Sequence, residues 1–253
     1  MRQFGLIGRT LGHSFSQLYF TRKFSSLSLA DHCYDLFELQ TIAELPGLLA
    51  AHPDLVGLNV TVPYKETVVP YLDDLAPSAA RVGAVNVIER RADGHLRGHN
   101  TDVVGFRDSL APFFSLRGEG GRALVLGTGG AAKAVEAGLR ELGIPYWLVS
   151  RSLLAAGLTY ADLTPELLAA HLLIVNATPL GTFPNVGECP PLPYQALTPQ
   201  HYLFDLVYNP AETLFMAKGH AAGAQVKNGF DMLCRQAEAA WEIWQNQQSA
   251  LSL

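Results

Sequence analysis

Cysteine is scarce in this sequence. The chain of 253 residues contains three cysteines, Cys33, Cys189 and Cys234. An odd number with no closely spaced pair argues against a disulfide framework and against a cysteine-based zinc site, so we expect no bound metal. Reduced thiols of this kind are typical of a cytoplasmic protein, and that is the location we expect.

Long apolar runs and strong charge are also missing. No apolar run reaches the roughly 20 residues that a membrane span requires. The apolar stretch within residues 1–8 is too short for a signal peptide. Charged residues make up 16% of the chain and the net charge is −5. This argues against nucleic acid as a partner, because phosphate binding depends on a basic surface. The 49% of hydrophobic residues predicts a globular protein with a sizeable core.

Strand and helix patterns alternate along the chain, which indicates an α/β fold. The predicted strands are residues 4–8, 34–37, 55–62, 123–127, 146–149, 172–175 and 202–206. The predicted helices are 16–29, 42–51, 65–72, 130–142 and 230–247, the first capped by Ser14 or Ser16. A hairpin over 84–98 turns at Asp93-Gly94, and a glycine-rich turn is expected at 117–121.

The pattern predicts two domains. The first consists of residues 1–104 and 230–253, because a C-terminal helix that carries Trp241 and Trp244 needs an apolar surface and is expected to return to the first domain. The second consists of residues 105–229.

Polar residues cluster in three short segments of the first domain. The segment Asn59-Val60-Thr61-Val62-Pro63-Tyr64-Lys65 begins as a strand, so Asn59 and Thr61 are expected on one face and the two valines on a buried one. Gly83-Ala84-Val85-Asn86 and Asn100-Thr101-Asp102 follow within a short distance. A lysine, an aspartate and several amides are what a site needs to hold a polyhydroxylated substrate and move a proton.

A glycine motif opens the second domain. Gly127-Thr128-Gly129-Gly130-Ala131-Ala132 fits G-x-G-x-x-A and stands between a predicted strand and a predicted helix. In that context the motif predicts dinucleotide binding, with the pyrophosphate at the helix N-terminus.

The end of the next strand indicates which dinucleotide is bound. NAD sites usually carry Asp or Glu about 20 residues on, whereas this chain has Ser150-Arg151-Ser152, which favours NADP because an arginine pairs with a 2′-phosphate. The alternative is a solvated surface arginine. Asn176 and Thr178 end another strand, where they either line the nicotinamide half of the site or cap a turn.

Taken together and in this order, these segments resemble those of the shikimate dehydrogenase family. The resemblance covers nearly the whole chain. The resemblance rests on Ser14-Phe15-Ser16, the three polar segments, the glycine loop, Ser150-Arg151-Ser152, Asn176-Ala177-Thr178, Tyr208, Asn228-Gly229, Met232-Leu233 and Gln236. It implies an N-terminal α/β substrate domain, a doubly wound Rossmann-type NADP-binding domain and a cleft between them. It also implies NADPH-dependent reduction of 3-dehydroshikimate to shikimate, in the chorismate pathway of aromatic amino-acid biosynthesis, by a monomer or homodimer.

The resemblance further implies the role of individual residues. Lys65 and Asp102 would be catalytic, and Ser14 and Ser16 would bind the substrate carboxylate. Asn59, Thr61, Asn86, Tyr208 and Gln236 would surround the ring and its hydroxyls. The cofactor-binding residues would be Gly127, Thr128, Gly129, Gly130, Ala131, Ser150, Arg151, Ser152, Asn176, Thr178, Leu206, Gly229 and Met232.

Three alternatives remain open from the sequence. One is a quinate/shikimate dehydrogenase with relaxed substrate or NAD use. Another is a binding relative that has lost the reaction, although a pure binder need not keep Lys65 and Asp102. A more distant one is methylene-tetrahydrofolate dehydrogenase, which has a related two-domain layout; fold alone does not separate them.

Overall fold

The chain forms two α/β units in the computed structural model, which describes residues 1–12, 14–115, 121–155 and 157–249. Unit 1 consists of Met1–Thr101 together with the chain from Ala237 onward, and unit 2 consists of Asp102–Gln236. The glycine-rich turn expected at 117–121 lies outside the described residues except for Gly121. Helices in the described part of the chain are all too short or too polar to cross a bilayer.

Unit 1 is built on a six-stranded mixed sheet. Its strands are β1 (Arg2–Gly8), β2 (His32–Glu38), β3 (Leu55–Val60), β4 (Asp74–Leu75), β5 (Val87–Arg90) and β6 (Leu96–His99). The strand order is β2-β1-β3-β5-β6-β4. The strands β1, β2 and β3 are parallel, β5 runs against β3 and β6, and β4 is parallel to β6. The predicted hairpin is confirmed, and Gly94 has a φ of +88° in its turn.

Four short helices cover this sheet: α1 (Phe15–Ser26), α2 (Leu45–Ala51), α3 (Tyr64–Thr67) and α4 (Pro77–Val82). Ser14 is the N-cap of α1, since its hydroxyl accepts a hydrogen bond from the Ser16 N–H at 3.3 Å. Short 3-10 turns at Ile42–Glu44 and Val69–Tyr71 precede α2 and follow α3.

Side chains alternate between the two faces of the sheet along each strand, so the core of unit 1 has two layers. On one face Leu58 and Val60 pack with residues of α2 and α3. On the other face Phe4 and Tyr34 pack with residues of α1 and with Trp241 and Trp244 from the end of the chain. The strands β1, β2, β3 and β5 therefore contribute to both layers, as expected for a sheet covered on both sides.

Two local predictions in this unit are wrong. The strand β3 stops at Val60, and Val62 is 73% exposed, so the two valines do not share a buried face. The Thr61 N–H still bonds the Ile7 carbonyl of β1, and the Tyr64 N–H then bonds the Thr61 carbonyl in a turn that ends the strand. The helix expected over 65–72 is broken after Thr67, because Pro70 has no N–H with which to continue it.

Unit 2 is built on an all-parallel sheet of six strands. They are β7 (Ala123–Leu126), β8 (Tyr146–Ser150), β9 (Leu158–Thr159), β10 (Leu173–Asn176), β11 (Tyr202–Asp205) and β12 (Gln225–Lys227). Their order is β12-β11-β10-β7-β8-β9. Counted within the unit, this is the 3-2-1-4-5-6 order of the Rossmann fold, whose direction reverses between β7 and β10.

The helices of unit 2 are α5 (Asp102–Leu110), α6 (Gly130–Glu141), α7 (Pro165–Ala169), α8 (Leu214–Ala221) and the start of α9 (Phe230–Ser249). On one face of the sheet Val125 packs with Phe106 of α5 and Val135 of α6. On the other face Leu124 packs with side chains of α7 and α8. Helices thus cover both faces, and the doubly wound α/β fold predicted from the sequence is confirmed.

The helix α9 belongs to both units. Its residues up to Gln236 group with unit 2, and those from Ala237 onward group with unit 1. There Trp244 is fully buried, its indole N–H donates to the Ile88 carbonyl at 3.1 Å, and Lys23 pairs with Glu238 at 2.5 Å. The part of α9 from Ala237 onward therefore packs within unit 1, whereas the predicted boundary had placed the whole helix in the first domain.

Candidate active site

The polar segments of unit 1 meet at one edge of its sheet. The strands β1, β3 and β6 run in one direction and β5 runs in the other. The segments that follow β1, β3 and β6, and the segment that precedes β5, therefore lie at the same edge. This edge carries Ser14 and Ser16 after β1, Asn59, Thr61 and Lys65 at the end of β3, Asn86 before β5, and Asn100 and Thr101 after β6.

Asn59 lies at the centre of this edge and is 6% exposed. Its side-chain oxygen accepts a hydrogen bond from the Tyr34 hydroxyl at 2.7 Å, and its Nδ2 donates to the Asn86 carbonyl at 3.4 Å. The Tyr34 hydroxyl also interacts with the Ser16 hydroxyl, which opposes the rise that burial produces in the pKa of Tyr34. One buried tyrosine thus connects Ser16 with Asn59.

Lys65 is half-buried in the first turn of α3. Its carbonyl accepts the Val85 N–H at 2.7 Å, which brings the turn of α3 against the residue that precedes Asn86. Thr61 is half-buried beside Gly8, where an added Cβ would come within 2.7 Å of the Thr61 methyl. The absence of a side chain at Gly8 is what leaves room for Thr61 at the end of β1.

Asn86 is buried and held by Thr101. Its Oδ1 accepts the Thr101 N–H at 2.7 Å, and its Nδ2 donates to the Thr101 hydroxyl at 3.0 Å. Asn100 supports the same region, since its amide donates to the Ala84 carbonyl at 2.9 Å. Each of these bonds joins the segment before β5 to the segment after β6, so they fix the shape of the edge.

In unit 2 the glycine loop follows β7 at the point where the strand order reverses. Gly127 has a φ of +107°, and a Cβ there would come within 3.1 Å of the Thr178 methyl, so a residue without a side chain is required. Gly129 is the N-cap of α6, and its missing Cβ faces open space. A loop of this shape at a helix N-terminus can bring backbone N–H groups against a pyrophosphate. Thr128, Gly130 and Ala131 are half-exposed around it.

The end of β8 carries Ser150, Arg151 and Ser152. The Ser150 hydroxyl accepts the Ser152 N–H at 3.3 Å, and Arg151 and Ser152 are exposed. Burial raises the pKa of Tyr160, and the charge of Arg151 acts against that rise, which places the guanidinium within electrostatic reach of the Tyr160 hydroxyl. In the described part of the following segment, two 3-10 turns (Leu153–Ala155 and Tyr160–Asp162), the two-residue strand β9 and the five-residue helix α7 precede β10.

A buried network joins the ends of β10 and β11. Asn176 accepts the Thr178 hydroxyl at 2.6 Å through Oδ1 and donates to Asp205 at 2.9 Å through Nδ2. Asp205 also accepts the Val207 N–H at 3.0 Å and the Thr213 hydroxyl at 2.6 Å. Burial raises the pKa of the Asp205 carboxyl to about 6, although these three hydrogen bonds favour its ionised form.

The start of α9 packs closely against its neighbours. The Gly229 N–H donates to the Val207 carbonyl at 3.1 Å, and a Cβ on Gly229 would lie 2.2 Å from the Leu206 oxygen. A Cβ on Gly105 would lie 2.7 Å from the Met232 oxygen and 3.0 Å from the Gln236 Cβ. Two glycines thus bring Leu206 and α5 against the helix that carries Met232 and Gln236.

Asp102 and Tyr208 complete the predicted set in unit 2. Asp102 begins α5 and is 8% exposed, and Tyr208 is half-buried in the loop after β11. Since Gly105 lies one turn after Asp102, the close contact at Gly105 also sets the position of Asp102 relative to Gln236.

Two residues of this region were not predicted from the sequence. Tyr34 was read only as a strand residue, and no local motif connects it with Asn59. Asp205 was read as part of an apolar strand, although an acid at the end of such a strand is a signal in itself, because a buried carboxylate needs several donors.

Among the described residues, histidines, cysteines and acids form no group of three or more that is suited to hold a metal ion.

Known proteins are similar to this chain over nearly its whole length. The profile of the shikimate dehydrogenase substrate binding domain matches residues 6–88. The shikimate dehydrogenase (NADP(+)) of Chlorobium phaeobacteroides is 37% identical over 98% of this chain and 92% of its own length. Shikimate 5-dehydrogenase from Thermus thermophilus in complex with NADP(H) and shikimate shows 34% identity and a TM-score of 0.85, covering 97% of this chain and 94% of its own. Quinate dehydrogenase from Corynebacterium glutamicum in complex with NAD shows 26% identity and a TM-score of 0.87, covering 100% and 99%.

Proposed function

Because the chain belongs to the shikimate dehydrogenase family, we propose that it is an NADP-dependent oxidoreductase that reversibly reduces 3-dehydroshikimate to shikimate. The observation that carries the proposal is the edge of unit 1, where the segment with Asn59, Thr61 and Lys65 meets Asn86 of a separate segment. The order of the parallel strands in unit 2, with a glycine loop at its reversal point, supports a dinucleotide as the second reactant.

Substrate recognition is assigned mainly to unit 1. Hydroxyls of Ser14 and Ser16 bind the carboxylate, and amide and hydroxyl groups of Asn59, Thr61 and Asn86 bind the ring oxygens. From unit 2, Tyr208 and Gln236 also bind the substrate. Side chains that donate and accept in fixed directions discriminate among ring acids, because a missing hydroxyl would leave a buried partner unpaired.

Lys65 and Asp102 are assigned the acid–base step. When bound, NADPH supplies a hydride to the carbonyl carbon. The Lys65 ammonium stabilises the negative charge that develops on the carbonyl oxygen and delivers a proton to it. Asp102 accepts a hydrogen bond from a substrate hydroxyl and assists the proton transfer. The half-buried position of Lys65 supports this role, since partial exclusion of water strengthens its interaction with a developing charge.

Cofactor binding is assigned to unit 2. The open space at Gly129 and the positive φ of Gly127 fit the close approach of a pyrophosphate to residues 127–131. Ser150, Arg151 and Ser152 bind the 2′-phosphate, where an acid would repel it. Asn176, Thr178, Leu206, Gly229 and Met232 surround the nicotinamide. The Asn176 side chain is occupied by Thr178 and Asp205, so it acts by fixing the loops that follow β10 and β11.

The test is an absorbance assay of reduced cofactor with purified protein, using shikimate or quinate with NADP or NAD. Rapid reduction with shikimate and NADP, and little with the other three pairs, is the expected result. The similarity to a quinate dehydrogenase in complex with NAD supports one second candidate, a quinate/shikimate dehydrogenase. Comparable rates with quinate would favour that candidate. Comparable rates with NAD would favour it too, and would argue against the assigned role of Arg151. A folded protein without activity on any pair would contradict both.

We propose a cytoplasmic setting for the reaction. Three free cysteines fit the reducing environment of the cytoplasm, where we place the enzyme. We expect a monomer or a homodimer, to be checked by analytical ultracentrifugation.

A further inference from the structure

Tyr34 is given no role in the proposed function, yet its contacts hold it in a well-defined position. It lies in β2 and is 3% exposed. Its ring stacks on that of Phe20, with centroids 4.6 Å apart and planes 10° apart. Phe20 lies one helical turn after Ser16 on α1. This stack holds the tyrosine hydroxyl at one point between α1 and β3.

The hydroxyl decides which way the Asn59 amide faces. A carboxamide oxygen has lone pairs and no hydrogen, so in the 2.7 Å bond the tyrosine is the donor and Asn59 Oδ1 the acceptor. The nitrogen of Asn59 must then face away from Tyr34. One of its hydrogens makes the long bond to the Asn86 carbonyl, and the other has no protein partner within the described part of the chain.

The donor role of Tyr34 does not depend on pH in the neutral range. Burial raises the pKa of its phenol far above the ordinary value. The nearby Ser16 hydroxyl gives the tyrosine oxygen a second neighbour, so the oxygen remains satisfied while its proton goes to Asn59.

We propose that Tyr34 is a positioning residue for substrate recognition, which fixes the Asn59 amide so that it offers an N–H donor, and hence recognises an acceptor oxygen of the ring substrate. The inference rests on the proposed function. Without the hydroxyl, the amide loses the interaction that distinguishes its two orientations, and the flipped one turns a carbonyl oxygen toward a substrate oxygen. Tyr34 touches no reacting atom, so its effect is on substrate affinity.

The test is Tyr34→Phe, which keeps the ring stacked on Phe20 and removes the hydroxyl alone. We expect the KM for shikimate to rise about three- to tenfold, as for the loss of one hydrogen bond, with the KM for NADP unchanged and kcat altered less than twofold. Tyr19→Phe is the matched control, because it removes a hydroxyl from the neighbouring helix that bonds Glu238 and not Asn59. It should leave the KM for shikimate unchanged.

A double-mutant cycle separates positioning from a general loss of packing. In an Asn59→Ala background, Tyr34→Phe should leave the KM for shikimate unchanged, because there is no amide left to orient. Asn59→Asp keeps an acceptor for Tyr34 but offers no N–H, so it should raise the KM at least as much as Asn59→Ala. This variant tests the proposal even if Tyr34→Phe fails to fold, as judged by circular dichroism.

The outcomes are distinct. Wild-type protein without shikimate activity would refute the proposed function itself. An active wild type combined with a wild-type KM in Tyr34→Phe or in Asn59→Asp would overturn the positioning role. So would an equal rise in KM with and without the Asn59 amide.

Discussion

Lysine is a costly residue to bury, and Lys65 is half-buried in a turn that backbone hydrogen bonds hold in place. Its carbonyl receives the Val85 N–H, and its helix begins directly after Pro63. The ammonium is therefore positioned by a rigid turn, as required of a group that must meet a carbonyl oxygen.

Lys65→Ala removes the proposed proton donor and leaves that turn in place. We expect kcat for shikimate oxidation to fall about 10²- to 10⁴-fold, the usual contribution of general acid–base catalysis. NADP affinity, measured by calorimetry, should stay at the wild-type value. The control Lys218→Ala removes an exposed lysine that lies over the Tyr194 ring, and full activity is expected there. Wild-type turnover in Lys65→Ala would exclude the residue from the mechanism.

Asp205 gives unit 2 a measurable dependence of stability on pH. Its pKa is raised from 3.8 to about 6 in the folded protein. Between these values the folded state binds more protons than the unfolded chain, so the free energy of unfolding falls as the pH rises through that window. Asp205→Asn cannot titrate. When the pH is lowered from about 7 to about 4, the free energy of unfolding of the wild type should rise by on the order of 2 kcal/mol relative to that of the variant.

Urea unfolding at several pH values measures this difference. Asp162→Asn is a contrasting control, because hydrogen bonds from Thr159 lower the pKa of that exposed carboxyl and the expected difference has the opposite sign. If the free energy of unfolding depended on pH in the same way in the wild type and in Asp205→Asn, the raised pKa of Asp205 would be contradicted.

At the scale of elements, the contact between the end of β11 and the start of α9 has no room for a side chain. A Cβ on Gly229 would lie 2.2 Å from the Leu206 oxygen, a distance that requires the backbone to move. Gly229→Ala should therefore lower the free energy of unfolding by about 1–3 kcal/mol and weaken NADP binding, measured by urea unfolding and calorimetry. Gly47→Ala, in α2 with nothing within 4 Å of the added methyl, should be neutral or stabilising by up to about 1 kcal/mol. Equal effects of the two substitutions would contradict the steric argument.

The elements also show what the sequence is able to reveal. The glycine loop could be predicted because strand, turn and helix are adjacent in the chain, so local rules suffice. The exposure of Val62 could not, because β3 ends where Val60 bonds the Asn86 carbonyl, a residue far along the sequence. Pro70 did carry a local signal that the helix after Lys65 is interrupted.

The site shows the same division. Asn59 and Lys65 belong to a recognisable motif, and both could be named from the sequence. Tyr34 meets Asn59 only because β1 lies between β2 and β3, and that strand order is a property of the folded sheet. Asp205 gains its importance from Asn176 and Thr213, which reach it from two other segments.

At the scale of the whole molecule, the core of unit 1 depends on the last helix. Trp244 is fully buried against Phe4 and Phe20, with ring centroids 5.0 and 5.5 Å away, and its indole N–H bonds the Ile88 carbonyl. A side chain at Gly57 would overlap the indole. The helix is thus a structural part of the sheet layer to which the substrate-binding edge belongs.

Trp244→Ala should destabilise the protein by about 3–5 kcal/mol, the usual cost of removing a large buried aromatic. Trp147→Ala is the matched control, because that tryptophan is 53% exposed in unit 2, and its loss should cost less than about 1 kcal/mol. Thermal and urea unfolding give both values. A small effect at Trp244 would mean that unit 1 does not need α9.

The split composition of unit 1 has a consequence for synthesis on the ribosome. Residues 102–236 form an uninterrupted unit and leave the exit tunnel before Ala237 does. The nucleotide-binding unit therefore emerges in full before the substrate-binding unit is complete. Most of the substrate-binding unit is synthesised first. One apolar face of its sheet stays uncovered until Trp241 and Trp244 emerge. That waiting interval is when the newly made chain most needs protection from aggregation.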